Sequence, residues 1–253
     1  MTTAINVSGS GYGSPFVDSL IYGTAWGDGT LPAPTLKYHF ENDPLYPAFT
    51  TAEKTAFAKA LDLFASFTTL QFVETLVASE TNFFWMKQTN AEMDGSLGWH
   101  YLPEVSAGNL TLDGAYNYQH STWNYLEQGG GGFVTIIHEI GHALGLDHPH
   151  DGTELFPGVS SPFDTGDLGL NQGIWTTISY NDGWNVRPTP SDAYGYQGTP
   201  MAFDIAALQE LYGANLNWAT GADTYQLDTA NGVNTFWACI WDAGGTRSEE
   251  HTS

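Results

Sequence analysis

The chain has 253 residues, 42% of them hydrophobic and 14% aromatic, enough to bury a sizeable core in one large domain or one domain plus a fragment. Six Lys and Arg face 28 Asp and Glu, a formal charge of −22; such a surface repels nucleic acid and anionic membrane, and both are excluded as partners. Cys239 is the only cysteine, so no internal disulfide forms, and stability must come from core packing, metal ions or both.

Residues 1–16 are rich in Gly, Ser and Thr and predict a flexible lead. The N-terminus has neither the charged region nor the apolar run of a Sec signal peptide, and no apolar stretch in the chain is long enough to span a membrane. Leu36, Tyr38 and Phe40 alternate with Lys37 and His39, the pattern of a half-buried strand. Thr50 and Glu53 form a capping box, and Phe57, Ala60, Leu61 and Phe64 recur at helical spacing behind it. Further strands are predicted at 69–74 and 82–87. A short one at 95–103 ends in Pro103, which suits a sheet edge, and a fifth lies at 114–118. His100 is expected to be a half-buried strand residue, not a ligand.

A glycine run, Gly129 to Gly132, then feeds the most informative stretch. His138, Glu139 and His142 form HExxH, extended by Gly145 and His148 to HExxHxxGxxH. On a helix of about 3.6 residues per turn, His138 and His142 stand one turn apart on one face and reach one metal ion. Glu139 is offset toward the neighbouring water position. Gly145 is a natural left-handed helix end, from which the reversed chain brings in His148 as a third nitrogen ligand. Three nitrogens leave one position of tetrahedral zinc open, the arrangement of a catalytic and not a structural site. His150 lies at an offset that does not fit the motif.

After Pro149 the chain is rich in Gly, Pro, Ser and Asp through Gly173. Thr199 and Pro200 read as the N-cap and first residue of a helix whose apolar stripe is Met201, Ile205, Leu208 and Tyr212, with Gly213 ending it. Short strands and turns are expected from Asn215 onward.

The 138–149 segment resembles the active-site helix of the metzincin zinc endopeptidases, most of all the serralysins. The resemblance extends to the opening segment at 18–26, to 200–215 and to 241–245. It implies an α+β, zincin-like fold: a twisted five-stranded mixed sheet, two long helices and an irregular C-terminal subdomain. Its division of the chain is a lead at 1–16, a catalytic domain at 17–215 and the start of a β-roll at 216–246. Residues 247–253 resemble a translated sequencing adapter, so a non-native tail and a truncated β-roll are expected. The resemblance further implies one catalytic Zn2+ on His138, His142 and His148, with Glu139 as general base. Tyr180 stands where the family has a tyrosine that ligates resting zinc and swings out when substrate binds. Ile178 departs from the family, which carries a methionine there. Calcium is expected only for the missing β-roll. A secreted, extracellular monomer hydrolysing proteins or peptides follows, exported by a C-terminal signal and not a Sec leader. Two other readings stay open, a matrixin-like metzincin and a non-catalytic, zinc-stabilised binding domain. Tyr180 and the 200–215 match favour the serralysin reading over the first, and the intact Glu139 weighs against the second.

Overall fold

A computed structural model describes residues 2–7, 13–105, 111–152, 154–227 and 230–251. The chain begins with β1 (Ala4–Asn6), a short helix α1 (Pro15–Asp18) and β2 (Thr24–Trp26). Next come β3 (Thr35–Phe40), α2 (Thr51–Phe67), β4 (Gln71–Glu74), β5 (Phe83–Gln88), β6 (Gly98–His100) and β7 (Leu112–Asn117). Helices α3 (Gly131–Ala143) and α4 (Ala202–Tyr212) follow, then β8 (Asp223–Leu227) and β9 (Arg247–His251).

Five strands form one sheet in the order β4-β3-β5-β7-β6. The first four run parallel, and β6 pairs antiparallel with β7 at the edge. The sheet is therefore mixed and the architecture α+β, as expected, with β6 the edge strand that Pro103 suggested.

Helix α2 opens with the expected capping box: the Glu53 N–H donates to Thr50 Oγ1 at 3.2 Å, and the Thr50 N–H donates to Glu53 Oε2 at 2.6 Å. Its inward face is Phe57, Ala60, Leu61 and Phe64, and Phe57 packs 4.6 Å from the Trp85 ring of β5 and 4.9 Å from Tyr116 of β7. Glu53 is itself buried, with Lys87 Nζ at 3.0 Å and the Trp123 indole N–H donating at 2.7 Å. A buried charge is tolerable only when paired and hydrogen-bonded in this way. Helix α3 contributes Phe133, Ile136, Ile137 and Ile140 to the same core, all fully buried. It lies against α2 on one side and against β6 on another, so the metal-site motif is held between the core and the sheet edge.

Three local expectations are corrected. Ala4–Asn6 was expected in a flexible lead but pairs antiparallel with β2, a partner about 20 residues away that local composition does not reveal. Helix α4 starts at Ala202 with Met201 as its cap, not at Thr199 and Pro200. The Thr199 hydroxyl is occupied elsewhere, accepting from the Cys239 N–H at 2.9 Å, and the Asp204 carboxylate takes the Met201 N–H at 2.8 Å. His100 is buried rather than half-buried, because its ring packs edge-on to Phe83 and lies beneath Gly114, where a Cβ would come within 2.2 Å of it. Residues 247–251 run as β9, parallel to β8.

Candidate metal centre and cleft

Gly145 takes φ +100°, and its Cα approaches the chain so closely that a Cβ would sit 2.6 Å from the Thr24 carbonyl oxygen. Only glycine allows both the left-handed backbone and that approach. The reversal it permits carries His148 back over the helix. The His138 and His142 Nε2 atoms lie 3.1 Å apart, and His148 Nε2 is 3.2 Å from the first and 3.0 Å from the second.

The outer nitrogens explain why these contacts are not hydrogen bonds. His138 Nδ1 is 2.8 Å from the Thr177 carbonyl, and His142 Nδ1 is 2.7 Å from the Leu146 carbonyl. A carbonyl only accepts, so each Nδ1 carries the proton and each Nε2 presents a lone pair. His148 Nδ1 pairs with Asp151 Oδ2 at 2.9 Å, which assigns it the same tautomer. Burial, reinforced by the neighbouring His148, lowers the His138 pKa to about 3, and burial likewise holds His142 well below the ordinary histidine range. Three neutral lone pairs thus converge with no proton between them, an arrangement that a cation satisfies. Tetrahedral zinc with nitrogens at about 2.0–2.1 Å places its ligands roughly 3.3–3.4 Å apart, close to the observed triangle. The outer carbonyl and carboxylate partners are those that orient metal-bound imidazoles. The donor set fits zinc.

Glu139 lies on the same helix with its carboxylate in the adjoining cleft. It is 5% exposed, its Oε2 has no hydrogen-bond partner, and burial raises its pKa to about 8. A metal cation beside it acts in the opposite direction by favouring the carboxylate. Gly98 of β6 passes directly over this group: a Cβ there would meet Glu139 Cγ and Oε1 at 2.8 Å. The edge strand, Glu139 and the histidines are thereby brought to one place.

Tyr180 stands at the rim, 43% exposed, with its ring centroid 4.7 Å from that of His148 and 6.1 Å from that of His138. Ile178 is fully buried, and its Cδ1 would be 2.7 Å from a Cβ at Gly141, so it packs directly against the helix between the two histidine turns. An apolar side chain of similar volume therefore fills the position where the family resemblance places methionine; such swaps cost less than about 1.5 kcal/mol in most cores. His150 is outside the histidine triangle. Its ring stacks on His148 at 5.0 Å, and it groups instead with His148 and Asp151. His100 also lies apart from the triangle; its Nδ1 bonds the Tyr101 carbonyl at 2.8 Å, and burial lowers its pKa to about 4.

Two supporting residues were missed in the sequence. Asp151 orients His148, and Asp204, fully buried, accepts from Thr176 Oγ1 at 2.6 Å and from the Thr177 N–H and hydroxyl, each at 2.8 Å. Asp204 so fixes the segment whose Thr177 carbonyl receives His138 Nδ1. The signal for it was available: position 204 falls on the apolar stripe of α4, three residues after Met201 and four before Leu208. A carboxylate there must be answered by several donors.

The cleft has a volume of about 370 Å³ and is lined by residues 96–98 of the edge-strand region, by Thr135, His138 and Glu139 of α3, and by residues of the 177–182 segment. A three-histidine centre on an HExxHxxGxxH helix, open to a cleft beside an antiparallel edge strand, defines the class: a metzincin-type metallopeptidase domain. More narrowly, residues 26–173 match the family model described as Matrixin, and the chain belongs to that peptidase family. Within it the domain is serralysin-like. It is 31% identical over 225 residues to a serralysin of Proteus mirabilis, covering 78% of this chain and 43% of that protein. A serralysin of Photorhabdus laumondii subsp. laumondii is 30% identical over 250 residues, 87% of this chain and 50% of the relative. Serralysin C of Dickeya chrysanthemi is 33% identical over 168 residues, 60% and 32% respectively. The chain spans half or less of the length of these relatives. No helix among the described residues is long and apolar enough to cross a membrane.

Proposed function

We propose that the chain carries the catalytic domain, within residues 17–215, of a zinc-dependent endopeptidase that cuts extracellular proteins. The observation that carries this reading is the convergence of three imidazole lone pairs beside a partnerless, buried carboxylate in an open cleft. His138, His142 and His148 would hold the metal. Bound there, zinc supplies Lewis acidity, bringing the pKa of a coordinated water toward about 7 and polarising the scissile carbonyl.

The protein's own groups do the rest. Glu139 takes the proton released as water attacks and returns it to the leaving amine. Tyr180, at the rim beside His148, turns its hydroxyl toward the developing oxyanion. The outer edge of β6, unpaired among the described residues, offers backbone donors and acceptors to an extended substrate strand, a β-augmentation that holds the peptide across Glu139. Secretion, action as a monomer and calcium binding by a following β-roll rest on the serralysin resemblance. A non-catalytic metal-binding module is disfavoured by Glu139, since a structural site needs no buried base.

The test is casein cleavage by the purified chain before and after metal removal. Cleavage should be abolished by a chelator and restored by stoichiometric zinc. Chelator-insensitive cleavage, or stoichiometric zinc binding with no cleavage of any protein substrate, would overturn the assignment.

A further inference from the structure

The wall of the cleft beyond Tyr180 holds two acceptors that the hydrolytic chemistry does not use. Gln197 lines the cleft yet is only 2% exposed, and its Oε1 is buried without a hydrogen-bond partner. Its amide nitrogen packs against Gly173, occupying the space a Cβ would take there, 1.5 Å from Nε2. A buried acceptor lacking a donor is costly, and in a native fold it calls for a reason. Asp182, exposed to solvent, lines the same wall and makes no hydrogen bond or ion pair among the described residues. The neighbouring Asn181 shows the contrast: its amide is fully engaged with the carbonyls of Asp164 and Asn171. No Lys or Arg among the described residues lines the cleft.

We propose that Asp182 and Gln197 form a specificity subsite for a cationic substrate side chain, arginine before lysine, beside the bond to be cut; this rests on the peptidase reading above. A guanidinium carries five N–H donors in a planar fork, enough to serve a carboxylate and an amide oxygen together, whereas an ammonium is a compact point charge. The aliphatic stem of either side chain can lie along Leu97 and Val134, the apolar members of the lining. A substrate glutamate would meet Asp182 and Glu139 with like charge. The overall charge of −22 draws basic segments toward the molecule in the same sense.

The experiment is a matched set of fluorogenic peptides differing at one residue, Arg, Lys, Leu or Glu, scanned across the positions flanking the cleaved bond. At one position the zinc-loaded chain should favour Arg over Leu by about tenfold in kcat/KM, the range of a charge-assisted hydrogen bond, with Glu poorest. Asp182→Asn should bring the Arg-to-Leu ratio within about twofold of unity, and Gln197→Leu should erase the advantage of Arg over Lys. Because each comparison is a ratio within one variant, a partly folded preparation does not mimic the effect. Equal rates for Arg and Leu at every position, or an Arg preference that survives Asp182→Asn, would refute the subsite. If no peptide is cleaved, it is the peptidase reading that fails. The subsite is then judged by fluorescence anisotropy of the same labelled peptides. Tighter binding of the Arg peptide that is lost in Asp182→Asn sustains it, and equal affinities refute it.

Discussion

Glu139→Ala is expected to keep zinc bound and to lose nearly all peptide hydrolysis. The three histidines take their orientation from the Thr177 and Leu146 carbonyls and from Asp151, none of which involves Glu139. Removing this carboxylate therefore leaves the ligand triangle supported. It does remove the one acid–base group among the described residues that lines the cleft beside His138 and is buried without a partner. Loss of a general base costs about 10²–10⁴-fold in rate, and more where the same group orients the attacking water. Stability should not fall with activity, because the Glu139 carboxylate, alone in a buried site, costs the fold desolvation and gains it no hydrogen bond through Oε2. Zinc content and casein turnover measured on one preparation check this, and hydrolysis at the unmodified rate would defeat the proposed role.

His142→Ala is expected to lose metal and activity together. His142 closes the triangle at 3.1 and 3.0 Å from its two partners, and without it only two imidazoles remain to hold an ion. Bound zinc should fall from about one per chain toward zero after dialysis, and proteolysis with it. Thermal unfolding supplies a second readout. A ligand that binds only the folded form at about 100 times its Kd adds about 2.7 kcal/mol of stability. The unmodified chain should show a zinc-dependent rise in Tm, and His142→Ala should show none. Retention of stoichiometric zinc by this variant would mean that the metal sits elsewhere.

What could be read from the sequence was what depends on neighbours along the chain. The α2 capping box, the alternation in β3 and the spacing of three histidines on and just after α3 are set by neighbours and by one glycine, and the structure brings those three histidines together. Long-range choices were hidden. Nothing local to Ala4–Asn6 names Thr24–Trp26 as its partner. Thr199 has the chemistry of an N-cap but bonds Cys239 across 40 residues, so the helix starts two residues later than its local signals suggest. Asp204 and Asp151 support the histidine triangle through partners that only folding brings near. Asp182 and Gln197 had no motif at all. They stand out only once the fold brings them to one wall of the cleft, with Gln197 Oε1 buried and without a partner.

X-ray absorption at the zinc edge of the zinc-loaded chain tests the central claim most directly. Three imidazole nitrogens at about 2.0–2.1 Å, completed by one or two exchangeable oxygens, are the result expected of an open site held by His138, His142 and His148. A fourth nitrogen closing the shell, as His150 would supply, or a coordination shell of oxygens alone, would contradict it.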